Sequence, residues 1–254
     1  GYTVVTDVSF PLSGMSQYYY CNNYLYVPAM SNLNGEISGI LFDHGKFNIK
    51  TIVTMYWDTL RHFFEIKQGI VKAKQKGGFE SLGIDTWGVD FGLLDEHGDL
   101  LESAVHYRDD RTIGMQEEVF KAISKEEVYN LTGNQFENFN TIFQLYSLVQ
   151  KRPWILERAD TLLLTPDLFN YFLTGEKKAE YTMASTTQLM DAKNKVWSDR
   201  ILDALRIPKK LLPEIVPSGT VVGTLRSSIC EELGVESAKV IAIAGHDTQS
   251  AVVS

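Results

Sequence analysis

Asp247 stands in the run Gly245-His246-Asp247-Thr248, directly after the apolar stretch Val240 to Ala244 and before a segment of small residues. A buried strand, a tight turn and a helix account for that pattern. The carboxylate can then stand at the mouth of a cleft beyond the strand's C-terminal end, where open α/β sheets bind ligands. It can also simply cap the helix, since aspartate is among the preferred N-cap residues; the local pattern by itself favours the cap. Gly88 is the second position with chemical potential. It falls in Thr86-Trp87-Gly88, which interrupts the alternation of Leu82, Ile84, Val89, Phe91 and Leu93. A glycine inside a strand pattern marks a bulge or a close approach to the backbone, so Gly88 is a candidate substrate contact and, equally, a structural bulge. Four charges crowd into Tyr107-Arg108-Asp109-Asp110-Arg111-Thr112, where the simplest expectation is a solvated ion-pair cluster. The histidines, at 44, 62, 97, 106 and 246, lack ligand-like spacing, so no protein-bound metal is expected.

Composition narrows the class. At 254 residues the chain holds one large or two modest domains with real cores, and 44% apolar with 22% charged residues is ordinary for a globular protein. A net charge of −8 argues against a nucleic-acid binder. Cys21 and Cys230 stand far apart without partners at metal-ligand spacing, which argues against a disulfide framework or a zinc site and points to a reducing compartment. No apolar run approaches the roughly 20 residues of a membrane helix, and no signal-like segment opens the chain. The expectation is a cytoplasmic protein without nucleic-acid or membrane partners.

The elements that must position Asp247 and Gly88 can be read in outline. Residues 37–52 suggest a hairpin about the turn Asp43-His44-Gly45-Lys46. A helix follows with Trp57, Leu60, Phe63, Phe64, Ile70 and Val71 on its apolar side, stopped by Gly77-Gly78. Ser124-Lys-Glu-Glu127 is a capping box, and a helix from about Asn140 to Gln150 buries Leu145, Leu148 and Val149 before Pro153 ends it. Thr161 to Thr165 reads as a short buried strand, after which Asp167 caps a helix over 168–173 closed by Thr174-Gly175. The hydroxyl-rich stretch Glu180 to Asp191 lines a polar cavity or forms a turn with satisfied backbone contacts. A helix over Ser198 to Leu205, a strand over Val221 to Leu225 and a helix over Ser227 to Leu233 lead back to the strand before Asp247.

With these pieces in place the chain resembles the FGGY carbohydrate kinases. The resemblance rests on Gly83-Ile-Asp-Thr-Trp-Gly-Val-Asp-Phe91, Tyr107-Arg108-Asp109, Arg111-Thr112, Gly133-Asn-Gln-Phe136 and Phe139-Asn140-Thr141. It continues through Leu164-Thr-Pro-Asp-Leu-Phe169, Tyr171, Leu173-Thr174-Gly175, Glu180-Tyr181-Thr182, Ser185-Thr-Thr-Gln188 and Gly245-His-Asp-Thr248, covering roughly residues 57–254. It implies an α/β fold of the ribonuclease H-like, actin-like type: a mixed β-sheet flanked by helices, the first of two domains that close on sugar and nucleotide. Among family members the chain looks most like those that phosphorylate L-rhamnulose at its primary hydroxyl with ATP and Mg²⁺. By similarity, Asp247 is the catalytic base, and Gly88, His246, Asp247 and Thr248 contact the ketose. Phosphoryl transfer requires mainly positioning, charge neutralisation and a carboxylate that orients the attacking hydroxyl, and a helix N-terminus favours negative charge.

Two departures from the family pattern qualify this. Its members begin with a strand and an Asp-containing Gly/Ser/Thr phosphate loop. Here Tyr26 to Ser38 has no aspartate at that place, and Glu36 stands where an arginine is expected. The family chain is also nearly twice as long, its second domain supplying most of the nucleotide site. The expected organisation is a divergent segment over 1–36 and a sugar-binding kinase domain over 37–254, without the nucleotide-binding domain and inactive on its own. Alternatives are a kinase for fuculose, xylulose or glycerol, and a non-catalytic sugar-binding domain.

Overall fold

The computed structural model describes residues 54–253, together with the short strands β1 (Tyr19–Cys21), β2 (Tyr24–Tyr26) and β3 (Phe42–Asp43). Asp43, expected in a turn, instead pairs in β3 with Tyr24 of β2. The rest of the hairpin expected over 37–52, the stretch Asn32 to Glu36 within the region that corresponds to the family's phosphate loop, and the boundary at residue 36 lie outside the described residues.

Helix α1 (Thr59–Gln75) starts at Asp58, whose carboxylate accepts the N–H of Arg61, and ends before the left-handed Gly77 and Gly78. Its buried face differs from the expected one. Thr59 and Ile70 are buried, with Phe63 and Ile66 partly so, whereas Leu60 is 68% exposed and Phe64 45%; Trp57 precedes the helix. Tertiary anchoring explains the rotation: Lys67 reaches Glu232 at 2.5 Å and Lys74 reaches the carbonyl of Gly234, which seats the helix on α9 (Ser227–Leu233).

The alternating run after α1 is two strands rather than one. β4 (Ser81–Gly83) lies parallel to β12 (Lys239–Ala242), which runs antiparallel to β11 (Thr220–Thr224). β5 (Phe91–Leu94) pairs with β6 (Thr161–Leu164) in a separate sheet. The break follows from Val89, whose φ of +67° reverses the chain between them.

Between β5 and β6 the chain forms α2 (Met115–Ala122), α3 (Lys125–Thr132), α4 (Thr141–Lys151) and α5 (Pro153–Arg158). Ser124 caps α3 by accepting the N–H of Glu127, as the capping box predicts, while the Glu127 carboxylate turns instead to Arg200. Leu145 and Leu148 are buried as expected. Pro153 does end α4, and it also opens α5 at the position where a missing N–H costs nothing. β6 and then α6 (Thr165–Thr174) follow without a loop. Asp167 therefore sits inside the first turn of α6, not at its cap, because Pro166 sets the helix start earlier.

The remaining elements are β7 (Ala179–Glu180), α7 (Tyr181–Thr186), β8 (Met190–Asp191), β9 (Val196–Trp197), α8 (Asp199–Leu205), β10 (Ile215–Val216) and, after β12, α10 (Asp247–Val253). In the stretch from Glu180 the hydroxyls of Ser185, Thr186 and Thr187 return to carbonyls three residues back, so the satisfied-turn reading holds there. One core gathers α4, α5, α8, β5 and β6 around Phe143, Leu145, Leu162 and Ile201; a second packs α1 and α9 against β11 and β12 through Ile70, Ile229 and Val240. Among the described residues no helix is long and apolar enough to cross a membrane.

The two faces of α1 give a direct test. Ile70→Ala should cost about 2–5 kcal/mol, the usual range for emptying a buried aliphatic site. Leu60→Ala should stay within about 0.5 kcal/mol, as exposed substitutions do. Urea denaturation of both variants checks the assignment, and comparable losses at the two sites would contradict it.

Candidate active site

The regular pairing of β4 with β12 ends at Gly83 and Ile241, yet the two chains remain in contact beyond it. Thr86 donates its N–H to the carbonyl of Gly245 (2.9 Å) and accepts the N–H of Asp247 (2.8 Å), an isolated parallel bridge between Thr86 and His246. Residues 160 positions apart in sequence thus share one edge. This bridge brings Gly88 to His246: a Cβ built on Gly88 would lie 2.9 Å from His246 Cδ2 and 3.0 Å from Nε2. The bare backbone of Gly88 leaves room for the imidazole at this distance. Immediately after it, Val89 holds its positive φ because its N–H meets Thr186 Oγ1 (3.3 Å) and its carbonyl accepts from Thr141 Oγ1 (2.7 Å) and Gln144 Nε2 (3.3 Å). A β-branched residue rarely adopts this conformation, and such strain persists where the surroundings over-determine it.

Asp247 is the first residue of α10, and its side chain is 56% exposed. The first helical bond, from Ser250 N–H to the carbonyl of His246, makes His246 the residue that precedes the helix, so Asp247 is not its cap. The Asp247 Oδ1 accepts from Thr248 N (2.6 Å) and Thr248 Oγ1 (3.3 Å), and His246 Nε2 lies 3.6 Å away. The four residues singled out in the sequence, Gly88, His246, Asp247 and Thr248, therefore lie together at the C-terminal ends of β4 and β12.

Two buried carboxyl groups that sequence reasoning passed over flank this edge. Asp90, fully buried, accepts from Trp57 Nε1 (2.6 Å), Trp87 Nε1 (3.0 Å), Tyr107 N (3.1 Å) and Gln144 Nε2 (3.0 Å). Burial pushes its carboxyl up to about 6 against the pull of these donors. Beside it the ring of Trp57 stacks on His106 at 4.1 Å and lies tilted against Trp87 at 4.0 Å; burial, with help from Arg108, lowers the His106 imidazole to about 4. The charged stretch 107–112 is correspondingly no solvated ion-pair cluster. Asp109 is buried, accepting from Met55 N (2.7 Å) and Arg111 N (2.9 Å), and Arg111 turns inward to Gln144 and the face of Phe91.

On the other flank Glu180 is 1% exposed, and its Oε2 accepts from Thr182 N (2.9 Å), Thr182 Oγ1 (2.5 Å), Met183 N (3.1 Å) and Gly245 N (3.2 Å). Behind it Asp167 accepts the backbone N–H of Glu180 (3.2 Å to Oδ1), and burial, reinforced by Glu180, holds its carboxyl well above the usual range. In the sequence Asp90 sits within a strand-like alternation and Glu180 within a polar stretch. Neither pattern reveals a buried acid with convergent donors.

A family model described as the FGGY family of carbohydrate kinases, N-terminal domain, matches residues 46–254. Among curated relatives, a rhamnulokinase of Oceanobacillus iheyensis is 48% identical over 200 residues, 78% of this chain and 42% of its own length. A rhamnulokinase of Halalkalibacterium halodurans is 47% identical with the same coverage. The chain thus spans about two-fifths of the length of these relatives. Among solved structures, a ligand-bound xylulose kinase from Lactobacillus acidophilus aligns with TM-score 0.70 at 20% identity, covering 88% of this chain and 46% of that one. A glycerol kinase from Plasmodium falciparum with ADP aligns at 0.67 and 20% identity, covering 94% and 48%. The likeness to the two structures establishes the α/β, actin-like fold expected from the sequence, and the family model identifies it as the N-terminal domain of a carbohydrate kinase.

The Asp90 and His106 shifts have opposite signs. Asp90 is raised from 3.8 to about 6, so the folded state binds its proton more tightly. Its contribution to stability is greatest below about pH 4 and declines as pH rises to about 6, by about 3 kcal/mol in total. His106 is lowered from 6.5 to about 4, so its contribution is complete above pH 6.5 and lost as pH falls through 4. The two oppose each other across the window they share. Asp90→Asn removes the first, and the variant should lose stability more steeply than the parent as pH falls from 6 to 4. Denaturant titrations at several pH values measure this; parallel profiles would count against the raised Asp90.

Proposed function

This chain belongs to the FGGY family of carbohydrate kinases, and from that premise we propose that it forms the sugar side of an ATP-dependent kinase acting on L-rhamnulose. In this reading residues 37–254 are the sugar-binding domain, the nucleotide is held mainly by a second domain, and the protein works in the cytoplasm. The observation that carries it is the Asp247 carboxylate, exposed at the start of α10 and locked by the Thr86 bridge beside Gly88 and His246. The rhamnulokinases at 47–48% identity support L-rhamnulose as the sugar.

The chemistry follows from the geometry. The hydrogen bonds that Asp247 receives from Thr248, and its approach to His246, all fall on Oδ1. Its Oδ2 is the atom to take the proton of the sugar's primary hydroxyl as that oxygen attacks the γ-phosphorus. Withdrawing the proton raises the nucleophile's charge as the P–O bond to the leaving ADP lengthens, and transfer itself needs positioning more than covalent assistance. His246, held against the bare backbone of Gly88, presents an imidazole edge to the sugar, and Thr248 adds a hydroxyl. Mg²⁺ would neutralise the phosphates. Such an ion takes most of its ligands from phosphate oxygens and water, and no step is routed through it.

In the full-length protein Asp247→Asn should lower phosphoryl transfer by about 10²–10⁴-fold, the usual contribution of a positioned base. Sugar affinity by calorimetry should change little. Turnover equal to the parent would sink the base assignment. A panel of L-rhamnulose, L-fuculose, D-xylulose and glycerol should give the highest kcat/KM for L-rhamnulose, and a flat profile would refute that substrate.

A further inference from the structure

The turn that carries Asp247 is held from two sides. Thr86 fixes one side through backbone bonds. On the other side the N–H of Gly245 points to Glu180 Oε2 (3.2 Å) and the N–H of His246 points to Thr182 Oγ1 (3.3 Å). The second bond is a relay, because the Thr182 hydroxyl donates its proton to the same Glu180 Oε2 (2.5 Å) and so must accept from His246 with its lone pair. Glu180 is in turn fixed in place. Its backbone N–H goes to Asp167, its Oε1 meets Ser218 Oγ at 2.5 Å in the connection between β10 and β11, and its Oε2 caps α7 through Thr182 N and Met183 N. The space is filled as well as bonded: a Cβ on Gly245 would lie 3.1 Å from Met183 Cγ, 3.2 Å from Pro166 Cγ and 3.5 Å from Glu180 Oε2. Nothing in this arrangement touches the exposed Asp247 carboxylate directly; Glu180 and Thr182 instead hold the N–H groups of the two residues that precede it.

We infer that Glu180, acting through the hydroxyl of Thr182, is a positioning residue that sets the orientation of the Gly245–Thr248 turn and thereby of the Asp247 carboxylate. The inference rests on the kinase reading for its catalytic consequence, but the positioning itself is a property of the turn. Glu180 is adapted to this role by its reach: one carboxylate oxygen serves the α7 cap and the turn together, so α7 and the turn move as one body. Shortening the side chain by one methylene would leave that oxygen short of either the cap or the Gly245 N–H. A displacement of about 1 Å at a reacting group is enough to cost about 10²-fold in rate.

The test uses the full-length protein and separates the two layers. Thr182→Val keeps the shape of the side chain and removes the relay; Thr182→Ser keeps the hydroxyl and removes the methyl. Hydrogen exchange of the peptide spanning residues 244–248 should accelerate at least about tenfold in Thr182→Val and in Glu180→Asp, and Thr182→Ser should restore most of the protection. In steady-state phosphorylation, Thr182→Val and Glu180→Asp should lose about 10²-fold in kcat with KM for ATP unchanged, again with recovery in Thr182→Ser. Exchange unchanged in both Thr182→Val and Glu180→Asp would overturn the inference, as would a Thr182→Ser variant as impaired as the valine. If exchange responds as expected while Asp247→Asn keeps full turnover, the positioning stands and the base assignment fails.

Discussion

Thr86 offers its N–H to Gly245 and takes the N–H of Asp247 at a point where the ladder between β4 and β12 has already stopped, and the candidate site is a consequence of that one extra step. Because the strands run parallel, their C-terminal ends open on the same side, and the chain leaving each one must turn within a few residues. The bridge forces both turns to occur in contact. His246 is thereby pressed to the backbone of Gly88, where a Cβ would force the imidazole to shift. Val89 must then reverse direction in a conformation costing on the order of 1–3 kcal/mol, which the hydroxyls of Thr186 and Thr141 and the amide of Gln144 hold in place.

Asp90, Glu180 and Asp167 are buried around this edge, and among the described residues the bonds that hold them come from N–H and O–H groups, with no close ion pair to a lysine or arginine. Asp90 takes two indoles, a backbone amide and a glutamine; Glu180 takes three backbone amides and two hydroxyls; Asp167 takes the amide of Glu180. Neutral donors fixed to secondary structure do what a flexible cation cannot. They locate each oxygen without demanding that a long side chain be ordered as well, and in a low-dielectric interior each such bond is strong when made and costly when missing. The price appears in the raised carboxyl groups of Asp90 and Asp167, for which burial is the first cause.

How much of this was legible in the sequence depends on whether a feature is local. The strand, turn and helix around Asp247 follow from a run of apolar residues, a glycine and a small-residue segment, and they stand as read. The Ser124 cap of α3 and the glycine stops of α1 and α6 are similarly local. What failed were features decided by distant partners. The face of α1 is set by Lys67 and Lys74 reaching α9, so Leu60 and Phe64 point outward although their spacing fits an apolar stripe. Asp167 reads as a cap because aspartate before an apolar run usually is one, but Pro166 and the immediate entry from β6 move the helix start upstream. The Asp90 and Glu180 clusters draw their donors from positions up to 65 residues away. No periodicity encodes such a convergence.

The contrast between the turn's backbone and the Asp247 side chain completes the physical picture. The backbone of the turn is bonded on both sides, by Thr86 to the Gly245 carbonyl and the Asp247 N–H on one and by Glu180 and Thr182 to the N–H groups of Gly245 and His246 on the other, while the carboxylate it delivers remains more than half exposed and, among the described residues, is engaged by His246 and Thr248. A group that must receive a proton from an incoming hydroxyl needs that combination. Were the carboxylate itself saturated by buried donors, as Asp90 and Glu180 are, it would have no free lone pair to offer and would gain little on meeting the sugar. Were its backbone free, each encounter would spend binding energy on ordering the turn before any bond could change. By placing the rigidity one residue upstream, in peptide groups locked by Thr86, Thr182 and Glu180, the fold leaves Asp247 both fixed in direction and available.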